Sequence, residues 1–278
     1  MIGVIDVGGG LRGSYGAGVL DYCIDNHIEF DYGLGVSAGS ANVASYLGHQ
    51  KGRNYTFYVD YAQRKEYMGL SNLLHTKSYI GLDYVYSTLS NSDGENPLNY
   101  QGIMDNKAEF KVVGTNALTG KAYYFDKSDM SLDNYYPLKA SCNIPILDRE
   151  YFVGDIPYYD GGIADPIPYK KAFADGCDKL VIILTLPKNE KCDEHANDRF
   201  AKILRHRYPN AAEAFANRNH LYNECLDEII KLEKENKVCI ISPDNIGKMK
   251  TLNRRKEDII RLYDCGYEDA KKIKEFVK

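Results

Sequence analysis

Three short stretches of this chain carry residue types and spacings that could do chemistry. The first is Gly35-Val36-Ser37-Ala38-Gly39, a G-x-S-x-G pattern. A serine held at a sharp strand-to-helix turn presents its hydroxyl clear of the sheet as a nucleophile. Glycines two residues away on either side let the two backbone segments pass closely without a Cβ clash. The same five residues also serve as an ordinary glycine-lined turn, so the pattern alone does not decide. The second stretch is Gly8-Gly9-Gly10-Leu11-Arg12-Gly13. Backbone N–H groups in such a turn, followed by a helix N-terminus, suit an anion. Gly8, Gly10 and Gly13 match G-x-G-x-x-G, which would serve a dinucleotide. That use wants an acidic residue at the end of the second strand, whereas Asp31 lies before that strand. The same N–H groups would equally form an oxyanion hole for a tetrahedral intermediate on Ser37. The third stretch is Asp160-Gly161-Gly162, a carboxylate with little crowding around it, or a plain Asp-Gly turn.

The elements that must position these residues are legible from periodicity. Ile2 to Val7 is a short apolar run, a buried strand running into the glycine turn, and a helical pattern follows over Ser14 to Asn26. Tyr32 to Val36 reads as the second strand and Ala38 to Leu47 as its helix. Parallel neighbours would bring both turns to one edge of the sheet. Residues 53–104 are irregular and aromatic, with Tyr55, Phe57, Tyr58, Tyr61, Tyr67, Tyr79, Tyr84 and Tyr86, and read as two or three short helices forming a cap or insertion. Together these rings would line an acyl pocket, although any single tyrosine is more simply a surface residue with a wet tip. A hairpin is expected over Lys111–Thr115 and Ala122–Phe125, a helix over Tyr135–Ser141, and short strands at Tyr151–Val153 and Pro157–Tyr159. Leu180 to Leu186 is a continuous apolar strand. Helices over Phe200–Tyr208 and Ala211–Glu235, a strand over Val238–Ser242 and a final helix pair over Lys256–Lys278 complete the chain. This alternation, without linker or repeat, predicts one domain over 1–278: an α/β fold of three layers with a largely parallel central sheet.

Composition narrows the classes. The chain has 278 residues, 44% hydrophobic and 27% charged, with a formal net charge of −4. This balance is that of an ordinary globular protein and argues against a general nucleic-acid binder. Seven scattered cysteines without a C-x-x-C pair read as reduced thiols, and hence as a cytoplasmic protein. No segment reaches the length of an apolar membrane span, and the N-terminal residues lack the pattern of a signal peptide. No histidine–carboxylate cluster has metal-ligand spacing.

Taken together, the chain resembles the patatin-like phospholipases. Their four sequence blocks stand here in order: Gly8-Gly9-Gly10-Leu11-Arg12-Gly13, Gly35-Val36-Ser37-Ala38-Gly39, Ala140-Ser141-Cys142-Asn143-Ile144-Pro145 and Asp160-Gly161-Gly162. The blocks lie within residues 1–170, and the later elements match more loosely. The resemblance implies an α/β/α fold, a Ser37–Asp160 catalytic dyad and oxyanion donors from Gly8, Gly9 and Gly10. Arg12, Gly13, Gly35, Gly39, Gly161 and Gly162 would be supporting motif residues. It implies hydrolysis of fatty-acyl esters, of the phospholipase A or carboxylesterase type, through an acyl-enzyme. Neither metal nor cofactor is required. The partner would be an acyl lipid or phospholipid, with a membrane surface as one place to meet it. Two rivals stand beside this reading. One is a Ser-His-Asp esterase using His195, His206 or His220. The other is a non-catalytic lipid or nucleotide binder in which Ser37 is incidental.

Overall fold

A computed structural model describes residues 1–278. Strand β1 (Ile2–Asp6) leads through the glycine turn into helix α1 (Ser14–Asp25), and β2 (Tyr32–Val36) leads through Ser37 into α2 (Ala38–Leu47). The strands are parallel neighbours with Asp6 opposite Gly35. Both turns therefore open at the carboxyl edge of the sheet, where open α/β sheets bind ligands.

The aromatic segment forms more pieces than expected. It holds α3 (Arg53–Val59), α4 (Leu70–Thr76), a π-helical turn at Tyr84–Thr88 and α5 (Tyr100–Asp105), with a 3-10 turn at Tyr61–Gln63. Next come β3 (Glu109–Asn116), β4 (Ala122–Asp126), α6 (Tyr136–Ser141), β5 (Tyr151–Val153) and β6 (Ile156–Asp160). The chain continues through α7 (Tyr169–Ala174), β7 (Lys179–Ile183), α8 (Asp198–Leu204) and α9 (Pro209–Lys234). It ends with β8 (Val238–Ile241), α10 (Lys256–Asp269) and α11 (Ile273–Phe276). Strand β7 stops at Ile183, short of the Leu186 that its apolar run suggested. There Thr185 turns inward to donate its hydroxyl to the Gly8 carbonyl, and Pro187, which has no N–H to extend a ladder, follows.

The sheet has eight strands, and β3, β2, β1, β7 and β8 are parallel in that order. Strand β3 decides where Asp160-Gly161-Gly162 goes. Its Gly114 pairs with Tyr123 of β4 and also with Asp160 of β6, so β4 and β6 lie on opposite edges of β3. Strand β2 pairs with residues 109–113 of β3 and β6 with residues 114–116. The antiparallel β6 thus takes up the edge where β2 leaves it, and Asp160 arrives beside the end of β2.

Side-chain alternation builds the three layers. Val4, Val112, Val181, Ile183 and Ile241 face a core shared with α1, α2 and α10. Their neighbours Ile5, Val113, Leu180, Ile182 and Ile240 face a second core, with Tyr222, Cys225, Leu226 and Ile229 of α9. Helices α1 and α10 meet at glycines. A Cβ on Gly18 would stand 2.0 Å from the Tyr263 carbonyl oxygen, and one on Gly266 2.0 Å from that of Tyr15. No helix is long and apolar enough to cross a membrane. All seven cysteines are free thiols.

Candidate active site

Ser37 occupies φ 55°, ψ −134°, a backbone region that costs a non-glycine residue energy and persists only when its surroundings impose it. Those surroundings are specific. The Ser37 N–H donates to Ser141 Oγ at 2.8 Å, and the Ser37 carbonyl accepts from Ser40 Oγ at 2.6 Å and from the Ser40 N–H at 2.9 Å. The flanking glycines are required sterically. A Cβ on Gly35 would lie 2.2 Å from Ser40 Cα, and one on Gly39 2.2 Å from the Asp6 carbonyl oxygen. Ser37 as a whole is only 9% exposed.

The glycine turn holds three consecutive left-handed residues, Gly8, Gly9 and Gly10, at φ 65°, 130° and 60°. The N–H of Gly8 donates to Asp6 Oδ1 at 2.9 Å. It is therefore engaged inside the protein, which corrects the expectation of three free donors: only Gly9 and Gly10 keep N–H groups without an internal acceptor. Asp6 is fully buried, and burial pushes its pKa up to about 6 against the hydrogen bonds from Asn42 and Gly8. Asn42 Nδ2 donates to Asp6 Oδ2 and to the Gly13 carbonyl, both at 2.8 Å, tying α2 to the turn. From the far end of the chain, the Thr251 carbonyl accepts the Leu11 N–H at 2.8 Å and Thr251 Oγ1 accepts from Arg12 Nη1 at 2.9 Å.

Asp160 ends β6, held by its N–H to the Asn143 carbonyl at 2.8 Å and by Thr115 Oγ1 donating to its own carbonyl at 2.8 Å. Its Oδ1 accepts the Gly162 N–H at 2.8 Å. A part of its surface is open, yet enough protein surrounds the carboxylate that desolvation raises its pKa above the usual carboxylate range. The Ser37 hydroxyl, the Gly162 N–H and the positive charge of Arg218 pull the other way. Ser37 and Asp160 thus border one cavity, with the Ser37 hydroxyl near enough to favour the charged form of the carboxylate.

Two cavities meet at Ser37. One, of about 60 Å³, is mostly apolar, and Phe57, Tyr58, Tyr67, Val85, Tyr86 and Cys142 are among its walls. The other, of about 220 Å³, is polar and bounded by Gly9, Gly10, Arg12, Asp160, Arg218 and Thr251, among others. Ser37, Gly10 and Ile144 belong to both. All six histidines are exposed, and none lines either cavity. His195 pairs with Asp198 at 3.2 Å, and His220 with Glu194 and Glu224 at 3.3 Å each, on the surface.

A model of the patatin-like phospholipases matches residues 7–173, and these include every residue of the four blocks. The chain belongs to the patatin-like phospholipase family. A second model, described as a domain of unknown function (DUF6363), matches residues 208–278. Among curated proteins, the uncharacterized protein YjjU of Escherichia coli K12 is 30% identical over 199 residues, covering 67% of this chain and 52% of that protein. Among solved structures, the crystal structure of VipD from Legionella pneumophila aligns with a TM-score of 0.51 at 13% identity. That alignment covers 98% of this chain and 66% of the VipD chain. The chain thus spans about half the length of the curated relative and about two thirds of the structural one.

In this patatin-like chain the site draws on residues that motif reading missed. Ser141 lies in the third block, but its use as the acceptor for the Ser37 N–H depends on α6 packing under the elbow. Thr185, Arg218 and Thr251 come from outside the patatin-matched segment. Arg218 lies on α9 with Tyr222, Cys225 and Ile229 at helical spacing, a signal that marks one face of the helix and not its place at the site. Of the cap's aromatic residues, Phe57, Tyr58, Tyr67 and Tyr86 reach the apolar cavity.

Proposed function

We propose that this protein is a serine lipid acyl hydrolase working through Ser37 and Asp160. The observation that carries the reading is the meeting of a strained, hydrogen-bond-locked Ser37 with a desolvated Asp160 at the junction of an apolar and a polar cavity. Asp160 accepts the Ser37 proton as Oγ attacks the ester carbonyl carbon. The oxyanion is held by the Gly9 and Gly10 N–H groups, which have no competing acceptor in the protein. Collapse breaks the bond to the alcohol, which leaves with the proton from Asp160, and the acyl group stays on Ser37. Water then attacks that ester, giving its proton to Asp160, and the carboxylic acid and Ser37 hydroxyl are released. The raised pKa of Asp160 suits this work, because an unperturbed aspartate near 3.9 is a weak base toward a hydroxyl. The apolar cavity takes the acyl chain. The exposed positions of all six histidines weigh against a triad with an imidazole base.

The test is labelling with a fluorophosphonate probe together with turnover of p-nitrophenyl esters. Wild-type protein is expected to label at Ser37 and to hydrolyse the esters. Ser37→Ala is expected to lose both while keeping its circular dichroism spectrum. Near-normal turnover by Ser37→Ala would sink the assignment.

A further inference from the structure

The apolar cavity beside Ser37 has one charged residue in its wall, Arg53. It opens α3 and is only 6% exposed. A guanidinium buried to this degree ordinarily has a carboxylate beside it. Arg53 has none. It takes part in no salt bridge, and its hydrogen bonds go to neutral oxygens. Its Nη1 donates to Ser45 Oγ at 3.2 Å, and its Nη2 to Ser90 Oγ at 2.8 Å and to the Asn96 carbonyl at 3.2 Å. Its Nε is buried with no partner. The guanidinium carbon stands 4.4 Å from the centre of the Phe57 ring, whose face is a weak substitute for an anion. Burial lowers the pKa of Arg53 to about 10, opposed by tyrosines that include Tyr86 and Tyr67 of the cavity wall, so the group stays charged at neutral pH.

Helix α2 sets the distance from this cation to the nucleophile. Ala38 and Ala41 belong to the cavity wall, and Ser45, which holds Arg53, follows at the next helical step on the same face. From Ser37 to Ser45 the helical rise amounts to about 12 Å, a span that an extended acyl chain of roughly eight carbons covers. The cavity thus leads from Ser37 toward a buried positive charge. A hydrocarbon chain laid along it would desolvate Arg53 further and return nothing. A carboxylate at the end of the chain supplies the missing counter-charge and an acceptor for Nε. Arg53 also ties the loop at Ser90 and Asn96 to α2. That task accounts for its three bonds and not for the missing counter-ion.

We propose that Arg53 is a specificity residue at the far end of the acyl cavity and binds a carboxylate on the terminal carbon of the acyl chain, so that the preferred substrate is a half-ester of a medium-length dicarboxylic acid and not a plain fatty-acyl ester. This rests on the hydrolase reading above. The reaction at Ser37 is unchanged: water cleaves the one ester bond, and the alcohol and the free dicarboxylic acid leave.

The experiment compares the p-nitrophenyl half-ester of octanedioic acid with p-nitrophenyl octanoate, using wild type, Arg53→Gln and Arg53→Lys. Wild type is expected to favour the half-ester in kcat/KM. In Arg53→Gln the ratio of the two kcat/KM values should fall roughly 10- to 100-fold, the scale of a lost charge-assisted hydrogen bond, with partial recovery in Arg53→Lys. An arginine that only tied the Ser90 loop to α2 would slow both esters together. A wild type that prefers the octanoate, or an unchanged ratio in Arg53→Gln, overturns the proposal. A second arm uses wild type alone and decides the matter if the variants do not fold. The monoamide of octanedioic acid should protect Ser37 from the fluorophosphonate at a concentration roughly 10-fold below that of octanamide. The monoamide of butanedioic acid, too short to reach Arg53, should gain nothing over butanamide. Equal protection by the two longer amides overturns the proposal, and so does an equal gain at both lengths, which would place the carboxylate elsewhere. If neither ester is turned over and Ser37 does not label, the hydrolase reading fails separately. Calorimetric titration of the same amides into wild type then decides the subsite: tighter binding of the longer monoamide than of octanamide, with no such gain for the shorter pair, supports it, and any other pattern overturns it.

Discussion

At the scale of the residue, the proposed reaction turns on how one carboxylate is kept basic. Asp160 is desolvated, which favours its neutral form, while Ser37, Gly162 and Arg218 favour the charged form, and desolvation is the larger influence. A base must be deprotonated to accept a proton, so activity should fall as pH drops through the pKa of Asp160. That pKa is raised, so the acid limb of kcat/KM should lie above the usual carboxylate range. Removing the charge of Arg218 should move the limb to still higher pH, because its pull is downward. Asp160→Asn should cost about as much as Ser37→Ala, because members of one catalytic unit fail together. Replacing His195, His206 and His220 by glutamine should leave the rate within a few-fold of wild type and the limb in place. A pH–rate series on wild type and these variants checks all of this. Loss of most activity in a folded histidine variant would return the reaction to a conventional triad.

At the scale of the element, the two turns depend on backbones coming closer than any side chain allows. Gly35 and Gly39 let the elbow pass against Ser40 and Asp6, and the same device joins α1 to α10 through Gly18 and Gly266. Because α1 begins at the glycine turn, its seating on α10 bears on Gly9 and Gly10. Gly266→Ala would drive a methyl group into the Tyr15 carbonyl. Overpacking of this kind costs about 1–3 kcal/mol, so Tm should fall by roughly 2–5 °C in a chain of this length. Calorimetry of the variant measures it, and an unchanged Tm would mean that the helices separate freely. The apolar cavity belongs to this scale too. Val85 sits in the π-helical turn and forms part of the cavity wall, so Val85→Ala should shift preference toward longer p-nitrophenyl acyl esters. A chain-length series on the two proteins reads this, and an unaltered profile would detach the cavity from the acyl group.

At the scale of the whole molecule, the matched phospholipase segment and the segment beyond it share one sheet and one site. Strand β8 extends the parallel sheet beside β7, α9 covers one face, and α10 packs on α1. Asn219 and Asn223 of α9 also hold the loop at Cys192 and Asp193, through bonds of 2.7 to 2.9 Å. Removing 208–278 would uncover the apolar faces of β7 and α1. A protein ending at residue 207 is therefore expected to lack a cooperative thermal transition and to label poorly at Ser37. A sharp transition with full labelling would show that the first segment folds and works without the second.

The sequence by itself determined the elbow, the glycine turn and the layer order. Each of these follows from local causes: steric need for glycine at fixed offsets, and apolar runs of strand or helix period. Strand β2 and helix α2 run over Tyr32–Val36 and Ala38–Leu47, as those local rules require. Tertiary structure alone decided which donors are free and which charges meet. Gly8 looks like Gly9 and Gly10 along the chain, and only the buried Asp6 sets it apart. Arg218 stands more than 200 positions from Arg12, and Thr251 further still, so no spacing rule relates them to the turn. Asp160 reaches Ser37 because β6 takes over the edge of β3 at the point where β2 ends. Local periodicity reports what each segment is, whereas sheet register and helix seating, which arise from burying both faces of the sheet together, decide which distant residues become neighbours.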